Sequence, residues 1–194
     1  MSSESMDTRE RILRAALKLL EGGGRMRMSD IAREAGVSRQ ALYLHFESRT
    51  DLLIETTRHL DRISRSEEKL TPSRMAETGQ ERLDAFVTAW SYYLPRISSS
   101  ARTLIALGET DAEAREAWAS RMQDMREGCE AAIQALARDG DLAPEWTPER
   151  ATDLLWTLLG YANWRQMTEV CGLSDEAYRA EMLTMTRKLF VKNG

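Results

Sequence analysis

Apolar residues recur three and four positions apart along most of this chain, the period of helices packed by one face. Ile12, Leu13, Ala16, Leu17 and Leu20 form the first stripe, opened by Asp7 and Glu10 at capping-box spacing and stopped by Gly22-Gly23-Gly24. No strand precedes that triple glycine and no Lys-Ser/Thr follows it, so it reads as a turn, not a phosphate loop. A second helix starts near Met28. Gly36 follows it where the chain must turn, and Ser38 is placed to cap a short third helix at about 39–45. Ser48 and Asp51 open a fourth, running through Leu52, Leu53, Leu60 and Ile63.

The period lapses over 64–79, a polar stretch with Pro72 and Gly79 that reads as a junction between domains. Leu83, Phe86, Val87, Trp90 and Leu94 then mark a fifth helix, closed by Pro95, and Ser98-Ser99-Ser100 caps a short sixth that ends at Gly108. Thr110 and Glu113 open a seventh, which reaches Gly140 with Trp118, Met122, Met125, Cys129, Ile133 and Leu136 on its face. Thr147-Pro148 starts an eighth helix ending near Cys171, and Ser174 caps a ninth that runs nearly to the C-terminus. No stretch reads as a strand. The expected fold is all-α, about nine helices in two domains, residues 1–63 and 64–194.

Projected around a helix, residues 148–171 are apolar on two sides. Ala151, Leu155, Leu158 and Ala162 line one, while Trp156, Gly160, Asn163, Met167 and Val170 line the other. A helix apolar around most of its circumference must be covered on more than one side. One side suits the core of its own domain and the other calls for a partner. Tyr178, Met182, Met185 and Leu189 extend that surface on the ninth helix.

Composition narrows the setting. A chain of 194 residues can bury a core without staples. Cys129 and Cys171 make no disulfide framework, the N-terminus is polar, and no apolar run reaches membrane-spanning length. These features point to a soluble cytoplasmic protein with no membrane partner. Net charge is −4, with ten Lys/Arg against nine Asp/Glu in residues 1–60, so the acidity lies in the remainder. Charge alone would not suggest nucleic acid.

The local pattern over Met28–Phe46 does. Ala32 is small where two helices approach, Gly36 turns the chain, and Ile31, Ala35, Val37 and Leu42 supply an apolar set beneath the turn. That arrangement leaves Arg39, Gln40 and Tyr43 on the opening turns of the second helix of a helix-turn-helix, where polar groups reach a DNA groove. Residues 8–54 resemble the N-terminal domain of TetR-family transcriptional regulators. The resemblance is carried by Arg-Ile-Leu-Arg-Ala-Ala-Leu-Lys-Leu-Leu at 11–20, Asp-Ile-Ala-Arg-Glu-Ala-Gly-Val-Ser at 30–38 and Leu-Tyr-Leu-His-Phe at 42–46. Arg49, Leu52 and Leu53 continue it; beyond residue 63 only the all-helical layout is similar.

The resemblance implies a ligand-responsive regulator, in most relatives a repressor, that binds an inverted repeat in double-stranded DNA as a homodimer and is released by a small hydrophobic effector. It implies that the last two helices form the dimer interface. Carried over by motif, Ser38, Tyr43 and His45 would contact phosphate or groove, and Arg49 would anchor the DNA backbone. Arg39 and Gln40 would face bases, Arg suiting guanine and Gln adenine, or else touch phosphate. Leu44 stands where many relatives carry a second tyrosine. The effector site would draw on Trp90, Tyr93, Trp118, Met122, Met125, Trp156 and Trp164, with Asn163, Tyr161 or Arg102 for polar anchoring. Each of these residues also suits an ordinary core. Two further readings stay open: a helical enzyme, for which His45 and His59 are the only histidines and no nucleophile, metal or cofactor motif is present, and an adaptor that binds protein instead of DNA.

Overall fold

A computed structural model describes residues 7–23, 26–64 and 66–192. The helices are α1 (Thr8–Glu21), α2 (Met28–Ala35), α3 (Arg39–Tyr43), α4 (Arg49–Ile63), α5 (Ser66–Met75), α6 (Gly79–Gly108), α7 (Ala112–Asp139), α8 (Pro148–Leu158), α9 (Tyr161–Arg165) and α10 (Asp175–Phe190), with a π-helical turn at Gln166–Val170. The fold is all-α. A lone antiparallel bridge joins Leu142 and Val191. No described helix is long and apolar enough to cross a membrane.

The chain forms two compact units. One holds residues up to Ile63 together with Ile97–Arg121; the other holds Ser64–Arg96 and the chain from Met122 onward. In the first, α1 packs on α2 and α4. Ile12, Leu13, Leu20, Ile31, Leu42, Phe46, Leu52 and Leu53 are each at most 1% exposed there. Leu104, Ala114 and Ala117 join the same apolar cluster, with Trp118 packed against it. Asp7 stands at the N-cap of α1, but its side chain makes no capping bond; Glu10 pairs with Arg14 instead, at 2.9 Å. Gly22 ends α1, while Gly24 and the polar residues 1–6 lie outside the described residues.

In the second unit, a Cβ placed on Gly79 would lie 2.5 Å from the backbone nitrogen of Leu136, and one on Gly128 would lie 2.5 Å from the Phe86 ring. Trp146 closes the end of this unit. Its indole donates to the Leu189 carbonyl at 2.7 Å, and its ring meets Phe190 edge-on at 5.6 Å.

Three expectations about the helices are corrected. Residues 66–75 form α5 and are not an unstructured junction; Ser73 is buried there and donates to the Arg82 carbonyl at 3.0 Å. That polar contact gives the helix a packed side that apolar periodicity could not reveal. Pro95 does not end a helix, because α6 runs through it. Proline removes one backbone hydrogen bond, but Leu94, Ile97, Ala101 and Leu104 carry the buried stripe past it. The segment 148–171 is not one helix. Gly160 is extended, at φ −62° and ψ 147°, and separates α8 from α9. Carbonyls beside that break are held by side chains: Trp90 donates to Leu159 at 2.8 Å and Asn163 to Leu158 at 2.6 Å.

Both cysteines are free. Cys129 is buried within α7, and Cys171 is exposed just after the π turn. Burial pushes the Cys129 thiol well above its usual range.

Candidate nucleic-acid interface

The turn between α2 and α3 is built from local chemistry. Gly36 takes the left-handed conformation at φ 65°, which a Cβ would strain. Its N–H donates to Arg33 O at 3.2 Å, and the Val37 N–H donates to Ala32 O at 3.0 Å, so the turn satisfies carbonyls at the end of α2. Arg11 reaches from α1 to donate to the carbonyls of Ala35 and Gly36, at 2.8 and 3.2 Å. Ser38 then caps α3, its hydroxyl oxygen accepting from the Ala41 N–H at 3.0 Å. Leu42 and Phe46 point into the core.

What remains outward is one exposed surface. Ser38, Arg39, Gln40, Tyr43, Leu44 and His45 are all exposed around α3. The Arg39 guanidinium sits 5.7 Å over the Tyr43 ring, so the pair one turn apart is partly ordered in advance. An open cleft of about 650 Å³ borders this surface, lined by Arg27, Ser29, Arg39, Tyr43 and Arg49 among others. Arg27 and Ser29 were not among the DNA contacts expected from the sequence. Their signal was the start of α2, where Arg27 stands at the N-cap without a side-chain capping bond.

Arg49 has partners within the first unit. Its guanidinium grips Asp111 with two bonds, at 2.7 and 2.9 Å, and Glu113 with a third at 2.8 Å. Its Nε also donates to the Met26 carbonyl. Burial pulls this guanidinium down, and the hydrogen bonds to Asp111 and Glu113 outweigh that and raise its pKa. Asp111 is held below the usual carboxylate range, chiefly by Arg49 and further by the N–H groups of Ala114 and Glu113. Asp111 is therefore the cap of α7, one residue beyond the predicted Thr110. With these donors committed, Arg49 ties the chain before α2 and the start of α4 to the start of α7, within the first unit.

His59 lies on α4 and is only 3% exposed. Its Nδ1 is 3.6 Å from Glu10, and its Nε2 has no partner. Burial lowers its pKa below the ordinary 6.5; Glu10 opposes that, while Arg62, Arg14 and Arg9 reinforce it. Because the folded pKa is depressed, stability from neutral His59 is full above about pH 6.5 and declines as pH falls below it. Urea unfolding at pH 7.5 and 5.5 should show this loss, and His59→Gln should reduce it. Equal pH dependence in both proteins would count against His59 as its source.

The expected effector residues are divided between the two units. Trp90, Tyr93, Met122, Met125, Trp156 and Asn163 belong to the second unit, whereas Trp118 belongs to the first. Trp90, Tyr93 and Met125 are buried; Met122, Trp156 and Asn163 are half-buried. The Trp90 and Tyr93 rings lie 5.2 Å apart. Trp90 and Asn163 already spend polar hydrogens on the break at Gly160. Tyr161 is buried in the second unit, while Arg102 is exposed in the first. Buried Ser91 Oγ, Trp164 Nε1 and Tyr178 OH have no hydrogen-bond partner.

Residues 12–56 match the family model of the bacterial regulatory proteins of the tetR family. A 78-residue stretch is 40% identical to the probable HTH-type transcriptional regulator ArpR of Pseudomonas putida, covering 36% of this chain and 37% of that protein. The chain thus spans little more than a third of this curated relative. Similarity of fold extends further. A Rhodococcus structure, described as a TetR-family transcriptional regulator, superposes with a TM-score of 0.73 at 20% identity, over 94% of this chain and 97% of that one. NalD of Pseudomonas aeruginosa, the secondary repressor of the MexAB-OprM multidrug efflux pump, superposes at 0.67 with 23% identity, over 96% of each chain.

Proposed function

We propose that this chain, whose residues 12–56 belong to the TetR family of bacterial regulatory proteins, is a cytoplasmic, ligand-responsive transcriptional regulator and not an enzyme. Residues 1–63 would read DNA, and residues 64–194 would bind an effector and a second copy of the chain. The observation that carries this reading is the exposed row of Arg39, Gln40 and Tyr43 on a helix fixed from below by Leu42, Ser38 and the Gly36 turn. NalD, a repressor of similar fold, favours repression.

Enrichment of duplexes from a random-sequence pool tests the DNA arm, and an inverted repeat is the expected product. Arg39→Ala or Gln40→Ala should relax preference at one position per half-site, costing about 1–3 kcal/mol for a bidentate contact. Failure to enrich any sequence would remove the reading.

Dimerisation is supported by apolar surface along the last helices. Val170 is 64% exposed, and Leu158, Leu173, Leu183 and Met185 are half-buried in the single chain. Sedimentation at low micromolar concentration should give a dimer, and Leu158→Asp should shift it toward monomer, since an unpaired charge resists desolvation. An effector site is supported by the aromatic group around Trp90 and by the unpartnered donors of Ser91, Trp164 and Tyr178, which suit a flat apolar molecule with acceptor atoms. All five tryptophans lie after residue 63, so binding should change intrinsic fluorescence. Release from DNA further requires that the effector prefer the DNA-incompetent state.

A further inference from the structure

Leu44 is 83% exposed, more than any other large hydrophobic side chain among the described residues. It stands at the C-terminal end of α3 and is still helical, at φ −72° and ψ −21°. Its N–H donates to Gln40 O and Ala41 O, both at 3.3 Å. Gln40 and Leu44 are therefore one helical turn apart on the same face, parallel to the row of Arg39 and Tyr43. The core beneath needs nothing from Leu44, because Leu42 and Phe46 fill it at 0% and 1% exposure. A leucine cannot hydrogen-bond to phosphate. In the major groove, the apolar group displayed on base edges is the thymine C5-methyl, and an A·T pair presents it on the same edge as the adenine N6/N7 that glutamine can pair with.

We propose that Leu44 reads a thymine methyl next to the adenine faced by Gln40, making an A·T step part of each half-site. This rests on the DNA-reading function proposed above. The position would supply sequence discrimination through an apolar contact in place of a backbone contact.

The test uses the full chain and duplexes enriched from a random pool, with each thymine replaced in turn by deoxyuridine, which lacks only that methyl. At one thymine per half-site, the wild type should lose about fourfold in affinity, the equivalent of one buried methyl-sized group at about 0.8 kcal/mol. Leu44→Ala should bind thymine and deoxyuridine duplexes alike at that position, and Leu44→Met should keep most of the discrimination. The proposal is overturned if the wild type ignores deoxyuridine everywhere. It is also overturned if Leu44→Ala discriminates as well as the wild type, or weakens binding to every sequence equally. A pool that yields no enriched sequence would instead overturn the DNA-reading function, and this inference with it.

Discussion

Arg49→Ala is expected to destabilise the first unit by about 2 kcal/mol, below the range for breaking a fully buried pair because Asp111 and Glu113 are partly exposed. For a chain of this size that corresponds to a fall in melting temperature of roughly 4–8 °C. The substitution leaves Asp111, Glu113 and the Met26 carbonyl without the guanidinium they share. Arg49→Lys should recover only part of the loss, since an ammonium cannot reproduce the paired bonds to Asp111. The clamp also separates two accounts of this residue. If Arg49 is structural, its loss weakens DNA binding without changing the salt slope. If it touched phosphate, the slope would flatten by about one. A melting curve superposable on that of the wild type would dismiss the clamp.

Gly79→Ala is expected to cost about 3 kcal/mol and to be felt in the second unit. Its added methyl would meet backbone atoms of Ala135 and Leu136 at 2.5–2.7 Å. Backbone cannot rotate aside as a side chain can, so α6 must shift along its contact with α7, at the high end of overpacking costs. The shift would also strain the bond from the Gly79 N–H to Asp139, now 2.6 Å. Gly128→Ala is the informative comparison: the nearest atoms to its methyl would all belong to the ring of Phe86, a side chain that can give where backbone cannot, so its cost should be smaller. Equal, negligible effects at both positions would show that the α6–α7 approach is looser than these distances imply.

The parts of this protein legible in its sequence are those settled within a few residues. Gly36, Ser38 and Leu42 specify the α2–α3 turn through bonds to near neighbours, so the exposed face of α3 could be read directly. Long-range partners were not legible. Arg49 looked like a free surface cation because Asp111 and Glu113 lie 62 and 64 positions away. The break at Gly160 was hidden for the same reason: Trp90, which holds the Leu159 carbonyl, is 69 positions distant. Pro95 misled in the opposite direction. A local rule for ending helices was outweighed by the buried stripe continuing from Leu94 to Leu104. Ser73 could not signal α5, because a buried hydroxyl resembles any surface serine until its acceptor is known.

The contrast between the two cysteines has a practical consequence for spectroscopy. A maleimide reacts with thiolate, so Cys129, buried and with its thiol pushed to high pKa, should stay unmodified while Cys171 is alkylated. A dye would then mark one defined point per chain, beside the π turn, without any engineered cysteine. In a population of mixed donor- and acceptor-labelled chains, energy transfer would count partners and follow the separation of their marked points as ligands are titrated.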